Sequence, residues 1–508
     1  MKICLVRPSF VTTKSAVGVE VILPLGIAYL AGHLRREGID VSFVDAVGAG
    51  IHRATPVSDI EDGLLRGLPD METAAMIPED VDVIGISCMF SVNWVVNRRA
   101  IQAIRDRFPD KIIIIGGEHA TAMPEYCLRD SGAIDYVVLG EGENTTTELL
   151  RALERGEDPA NVSGLGYLRD DVYVASEQRK RERQIDRIAW PAWDLLPVET
   201  YLGNTVSAAL DCGRSMPIIA SRGCPYVCTF CSSPVMWGRL WRARTPEDVI
   251  AEIENNVRMF QIDHVDFFDL TMITKRAWIV EFCEKMIERK LNVSWQIICT
   301  RSEAIDDEVT RLLKKAGCNF ITYSPESGSD QVLQDIGKKV NKEAMLRSIA
   351  SAYKAGMGVK LNYVVGFPDD RFVDILASYK MAAQAALRGA HDASFFAFSP
   401  YPGSQLFRRL VAEGTIKVDD NYFFELALYN FKRMKSFASA FSDNRIRVLC
   451  LTGMAFFYAV NYARRPWRFL GLVADVLRSE GRTKLSATLV RLRKNRKQMQ
   501  EGVALTEN

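Results

Sequence analysis

Twice along this chain, short apolar runs alternate with amphipathic stretches of helical period, and that rhythm restricts it to parallel α/β architecture. The first series is KICLVR, LGIAYLAGHLRREG, VSFVDA, VDVIGIS, WVVNRRAIQAIRDRF, KIIIIGG and AIDYVVLGEGE, which predicts an open parallel sheet of roughly five strands within residues 1–150. Glycine-bearing turns follow the strands' carboxyl ends at Gly116-Gly117 and at Gly140-Glu141-Gly142-Glu143. That is the edge where such sheets bind ligands. No G-x-G-x-x-G opens the first helix, which argues against a dinucleotide.

The second series runs MPIIAS, HVDFFDL, VSWQIICT, FITYS, VKLNYVVGF and ASFFAFS, with helical stretches such as EDVIAEIENNVRMF and DDEVTRLLKKAG between. Six βα units within residues 211–415 predict a partial (β/α)6 barrel with its working groups at the carboxyl ends of the strands. Residues 151–210 read as a linker lying on the domains it joins, with a hairpin-like GYLRDDVYVAS, a charge run EQRKRERQIDR expected to be a solvated face, and the string WPAWDLLPVETYL. Residues 416–508 are helical and increasingly basic.

Lys+Arg 64 against Asp+Glu 63 leaves a net charge of +1, so nothing in the bulk charge asks for nucleic acid. MKICLVRPSF enters a strand without a basic leader or cleavage site, which makes the cytoplasm the expected compartment. The 11 cysteines are an odd count, mostly scattered singly through apolar segments, and point away from a disulfide framework.

The exception is SRGCPYVCTFCSS, where Cys224, Cys228 and Cys231 fall within eight residues directly after a strand. Three thiolates suit an iron–sulfur cluster with one iron left open. A structural zinc site wants four ligands, and Cys212 is near enough in sequence to offer the fourth, so zinc stays open on spacing alone.

The stretch CPYVCTFC resembles the C-x-x-x-C-x-aromatic-C signature of radical S-adenosylmethionine (SAM) enzymes. The resemblance implies a [4Fe-4S] cluster on Cys224, Cys228 and Cys231, whose open iron chelates SAM and cleaves it to methionine and a 5′-deoxyadenosyl radical. It implies that Phe230 packs near the adenine. HVDFFDLTMITKR is similar to the segment carrying an acidic SAM contact, here Asp269; Arg301, Glu326 and Ser327 resemble groups that hold SAM's carboxylate, amine or ribose. KLNYVVGFPDD resembles the fifth-strand segment but carries Asp370 where glutamate is common. Helix capping after a strand is the alternative for Asp269 and Glu326.

The first domain, with PLGIAYLAGHL, GGEHAT and VVLGEGE, resembles the flavodoxin-like cobalamin (B12)-binding domain that precedes the barrel in cobalamin-dependent radical SAM enzymes. Carried over on that resemblance, the cobalamin positions are Pro24, Leu25, Gly26, Ser87, Gly116, Gly117, Gly140, Glu141, Gly142 and Glu143. Many cobalamin domains carry D-x-H-x-x-G, but here Asp45 to Gly50 place Val47 where the histidine would be. His52 is an ordinary surface residue on this reading, so the expectation is cobalt without a histidine ligand, with an empty, degenerate domain as the alternative.

The resemblance implies a class B type methyltransferase acting on an unactivated carbon: one SAM supplies the radical, methylcobalamin donates the methyl, and a second SAM remethylates cob(I)alamin. The alternatives are an oxidative cyclase on a tetrapyrrole-like substrate and, from another class, a cobalamin or iron–sulfur sensor without turnover. No catalytic residue beyond the cofactor contacts is assigned. Expected partners are a small, hydrophobic or lipid-like substrate and an electron donor such as flavodoxin or ferredoxin.

VLCLTGMAFFYAV, residues 448–460, is too short a run to span a bilayer. The aromatic and arginine-rich sequence after it suits either an interfacial helix making peripheral membrane contact through Arg464, Arg465, Arg468 and Arg491, or a cap over the barrel mouth.

Overall fold

The computed structural model describes residues 1–14, 21–203, 213–301, 304–427, 433–478, 485–486 and 489–490. Cys212 and Arg491 lie outside the described residues, so the fourth-thiol alternative and part of the tail reading do as well.

The first sheet has seven strands. Its parallel strands are Lys2–Arg7, Asp40–Asp45, Val83–Ser87, Ile112–Gly116 and Tyr136–Val138, with Lys2–Arg7 between Asp40–Asp45 and Val83–Ser87. This is the flavodoxin-like order, whose switch point lies where the chain reverses direction across the sheet. Ile113, Ile114 and Ile115 are all buried because helices cover both faces, which is why the run reads as continuous rather than alternating.

The hairpin assigned to the linker extends this sheet. Leu165–Arg169 and Val172–Ala175 pair antiparallel on its edge, beside Tyr136–Val138. Their turn is Asp170-Asp171, with φ of 50° and 60°, the left-handed pair that a two-residue hairpin turn needs. The charge run that follows is only partly solvated. Arg179 turns in to Glu148 and donates to Thr145 Oγ1 at 2.7 Å, and Arg181 stands against Gly140, while Lys180 and Arg183 are exposed.

Six parallel strands in chain order form the second sheet: Ser215–Ile218, His264–Phe267, Ser294–Thr300, Cys318–Glu326, Gly358–Val365 and Asp392–Ala397. Helices Pro246–Phe260, Arg276–Arg289, Asp307–Lys315, Lys342–Lys354 and Phe372–Arg388 alternate with them, which is the partial barrel expected.

The carboxyl-terminal helices do two different things. Asp420–Ala427 lies on the first domain: Arg98 donates to Asp420 at 2.7 Å, and the Phe423 ring meets His119 and Tyr126. One apolar cluster joins Trp94, Ile86 and Cys88 of the first domain to Phe367, Phe398, Phe407 and Phe423 of the second half.

Asp443–Arg464 is a 22-residue helix, so the 13-residue apolar run understates it. It is the one helix among the described residues long and apolar enough to cross a membrane. One side of it is committed to protein, burying Ile446, Cys450, Gly453, Phe457 and Asn461. It runs along the outside of the last strands, from Gly366 at the carboxyl end to the Ala390 and His391 carbonyls at the amino end, and does not cover the barrel mouth. Arg465 and Arg468, expected at a lipid surface, are instead tied to backbone carbonyls at the end of Phe372–Arg388.

Candidate functional site

The residues just before Cys224 hold the cysteine loop in place. Ser221-Arg222 pairs antiparallel with Arg242-Ala243. Gly223 has φ 82°, and a Cβ there would collide with the Leu240 carbonyl, so only glycine makes this turn. Asp269 is buried at the end of the second barrel strand and accepts from Ala220 N at 3.1 Å and from the Ser221 hydroxyl. Burial raises its carboxyl to about 6 against those donors. After Cys228 the loop is pinned by Thr229 N to the Ile336 carbonyl and by Leu406 N to the Thr229 carbonyl, each 2.9 Å.

The three thiols are half-buried, and burial pushes each one up. Arg301 pulls Cys224 and Cys228 back down, and Lys338 does the same for Cys228. An electropositive pocket around three thiols fits an anionic iron–sulfur cluster, which would be held by Cys224, Cys228 and Cys231.

Around this loop the expected SAM positions have unequal surroundings. Arg301 lies 3.6 Å over the Tyr226 ring. Glu326 is buried at φ 63° and receives Lys338 Nζ at 2.6 Å. A buried glutamate held in that left-handed backbone stores strain that the surrounding structure must offset, which is common at functional sites. Phe230 packs on Phe367 with ring centroids 5.6 Å apart, and Lys338 is 6.0 Å from its ring. Ser327 is turned away toward Ser378 on the helix Phe372–Arg388, 3.3 Å off. Asp370 caps the turn below, accepting from Gly366 N at 2.8 Å and Phe367 N at 3.1 Å; burial raises it to about 7. Neither Asp269 nor Glu326 caps the helix that follows it: Lys275 and Ser329 stand at those caps.

Sequence reasoning missed Lys338. Its only signal was a lysine in GKKV, and nothing local marks that lysine as buried.

The glycine edge of the first sheet faces the cysteine loop. Ser87 pairs with Gly116, and Gly116 with Val138, so these positions share the carboxyl edge. Gly117, at φ 114°, approaches Cys88 so closely that a Cβ would sit 2.8 Å from its carbonyl oxygen. Gly140 N donates to Thr121 Oγ1 at 3.0 Å. Thr121 also reaches Met236 Sδ at 3.5 Å, and Glu118 accepts from Ser232, the residue after Cys231. Pro24 and Leu25 start the helix Leu25–Arg36, and Gly26 is exposed with open space where a Cβ would stand.

Gly142 begins the helix Gly142–Glu154, and the glutamates on either side of it reach across to the barrel. Glu141 meets Arg222 at 3.2 Å and Arg242 at 2.9 Å, while Glu143 meets Arg222 at 2.6 Å. A cleft of about 250 Å³ opens beside Gly140, lined by Thr121, Asn144, Gln178, Arg179 and Arg181 among others. Its lining also includes Lys180 and the carboxylates Glu141, Glu143 and Glu182, so cationic, amide and acidic groups meet beside the glycine backbone. Val47, at the motif's histidine position, is buried and has no ligating atom, and His52 is exposed. His119 is buried and neutral, lowered to about 3 by burial, with Nδ1 2.9 Å from Ser91 Oγ.

Comparison with known proteins agrees with both halves. A family model described as the B12 binding domain matches residues 16–150, and one described as the radical SAM superfamily matches residues 218–379. Two ligand edges on these two folds, brought face to face, define a cobalamin-binding radical SAM protein. The chain belongs to the cobalamin-dependent radical SAM enzymes, and its cofactors are a [4Fe-4S] cluster, SAM and cobalamin.

An uncharacterized methyltransferase of Pyrococcus horikoshii is 28% identical over 418 residues, covering 82% of this chain and 84% of the relative. The anaerobic magnesium-protoporphyrin IX monomethyl ester cyclase of Rubrivivax gelatinosus is also 28% identical, covering 76% of this chain and 66% of its own. Among solved structures, the radical SAM methyltransferase TsrM of Kitasatospora setae, with cobalamin and [4Fe-4S] bound, superposes with TM-score 0.65 at 17% identity, covering 81% of this chain and 78% of that one. The cobalamin-dependent enzyme OxsB superposes with TM-score 0.62 at 16% identity, covering 86% and 58%. Both share the fold.

Proposed function

We propose that this chain methylates an unactivated carbon of a small, hydrophobic molecule. The observation that carries this reading is the abutment of the two ligand edges: Ser232, next to the last cluster cysteine, bonds to Glu118 of the glycine edge, and Met236 touches Thr121. When bound, the cluster with SAM supplies a radical that abstracts hydrogen, and cobalamin supplies the methyl group.

The chain's own residues bind and orient. Asp269 and Gly223 set the entry of the cysteine loop, Lys338 neutralises Glu326 beside it, and Phe230 on Phe367 offers an aromatic surface for a purine. The shared apolar cluster around Trp94 and Phe423 keeps water from the seam between the halves. A low-potential donor of the flavodoxin or ferredoxin type reduces the cluster, and the enzyme works in the cytoplasm.

Anaerobic reconstitution with SAM, reductant and candidate substrates, followed by mass spectrometry, tests the proposal. S-adenosylhomocysteine formed together with 5′-deoxyadenosine supports methylation. Formation of 5′-deoxyadenosine alone transfers the chain to the cyclase reading that the Rubrivivax relative represents.

A further inference from the structure

The helix Pro466–Arg478 is turned inside out. Its acid, Asp475, is buried, while Trp467, Leu470, Val473 and Leu477 are 59%, 68%, 41% and 71% exposed. These four positions share one face at helical spacing. In a helix docked on a soluble core that face points inward, so this one is held with its greasy side to the outside.

The orientation is fixed by its polar groups. Arg468 donates to the carbonyls of Gly389 at 3.0 Å and Ala390 at 2.8 Å, and to Asn461 Oδ1 at 2.8 Å. Arg465 donates to the carbonyls of Ala386 at 2.8 Å and Leu387 at 3.1 Å. Both guanidinium groups thereby cap the carboxyl end of Phe372–Arg388, where unpaired carbonyls and the helix dipole favour cations. Rolling the helix over to hide Trp467 and Leu470 would strip those carbonyls of their partners.

The neighbouring helix continues the surface. On Asp443–Arg464 the outward positions Val448, Thr452, Ala455, Phe456 and Ala459 are exposed and carry no charge. Around this surface Arg445, Arg464 and Arg478 are exposed, against one exposed acid, Asp443 at the start of the first helix, since the only other acid of the two helices, Asp475, is buried. The sequence beyond is cationic on balance, with Arg482, Lys484, Arg491, Arg493, Lys494, Arg496 and Lys497 against Glu480, Glu501 and Glu507. A two-fold pairing of this face with a second copy would set arginine rim against arginine rim, which costs affinity. An anionic lipid surface supplies the opposite charge and a place for the apolar stripe.

We propose that the helices Asp443–Arg464 and Pro466–Arg478 form a membrane-docking face, lying in the plane of an anionic bilayer with Trp467, Leu470, Val473 and Leu477 among the acyl chains. The barrel is then held beside the membrane with Phe372–Arg388 directly behind the docked pair. The inference stands on this surface alone and does not depend on the reaction.

Flotation of the full chain with vesicles tests it, using phosphatidylcholine alone and phosphatidylcholine with phosphatidylglycerol. The chain is expected to float with the anionic vesicles and to be released by salt. The double substitution Trp467→Glu and Leu470→Glu removes two exposed side chains, so folding is unaffected and the thermal melt is unchanged. Binding should fall by at least about a hundredfold, since burying each of the two side chains is worth on the order of 2 kcal/mol and about 1.4 kcal/mol is a factor of ten. Arg464→Gln and Arg478→Gln should each weaken binding about fivefold, the equivalent of about 1 kcal/mol per basic residue. No flotation of the full chain, or binding that the double substitution leaves intact, overturns the proposal. A dimer in solution that the double substitution dissociates overturns it too, and assigns the face to a second copy.

Discussion

Arg222 donates to Glu143 at 2.6 Å across the boundary between the two domains, two residues ahead of the first cluster cysteine. Both side chains are buried. Burial alone would raise the Glu143 carboxyl, but Arg222 outweighs it and holds the group below its ordinary value of 4.5. Glu143 therefore contributes stability that is present above pH 4.5 and is lost as pH falls through its folded value. Acidification below that point should loosen the domain boundary, seen as a larger radius of gyration in small-angle scattering. Replacing Arg222 by methionine leaves the buried Glu143 carboxylate without its arginine, while Glu141 keeps Arg242, and should cost about 3–5 kcal/mol.

The cysteine triad predicts iron. Anaerobically purified protein should carry about four iron per chain, as one [4Fe-4S] cluster requires. Changing Cys224, Cys228 and Cys231 together to alanine should remove both the iron and SAM cleavage. Stoichiometric zinc with no iron would contradict the assignment.

Lys338 and Glu326 should behave as a unit. Lys338→Met strands a buried carboxylate and should cost about 3–5 kcal/mol in denaturant unfolding, whereas Lys338→Met with Glu326→Gln should recover most of that loss. If the pair also orders the SAM site, calorimetric SAM affinity should stay low in the double variant even as stability returns.

Cobalt should lack a histidine from the usual motif. With Val47 buried and His52 exposed, the paramagnetic resonance spectrum of bound cob(II)alamin should show no axial-histidine nitrogen splitting. A splitting that disappears in His52→Ala would show that the loop rearranges on loading.

Asp269 should matter to the cluster through the loop it holds. Asp269→Ala frees the Ala220 N–H and the Ser221 hydroxyl, and iron content after reconstitution should drop severalfold while overall helicity is unchanged. Full iron retention in this variant would remove the clamp role.

Both parallel sheets were legible because a buried parallel strand writes a continuous apolar run, as Ile112–Gly116 does, and the cysteine spacing is local. The destinations of Glu141 and Glu143 were not. Their arginine partners lie 101 and 79 residues away, and a glutamate beside a glycine turn reads the same whether it meets a ligand or a distant cation. Lys338 was hidden for a related reason, since burial of a lysine depends on a partner that no periodicity announces. Helix Pro466–Arg478 shows the limit of pattern reading most plainly: the apolar stripe was visible, but which side of it meets protein is decided by Arg465 and Arg468 and their carbonyls.

Phe423 closes the seam between the halves from a segment that follows both sheets in the chain. During synthesis, domains fold in order from the amino terminus. The strands that carry the glycine edge and the cysteine loop are therefore all synthesised before Phe423, the ring that fastens them. A chain ending before Asp420 would carry both edges without that latch, and a ligand as bulky as a corrinoid should enter it more readily than the full chain.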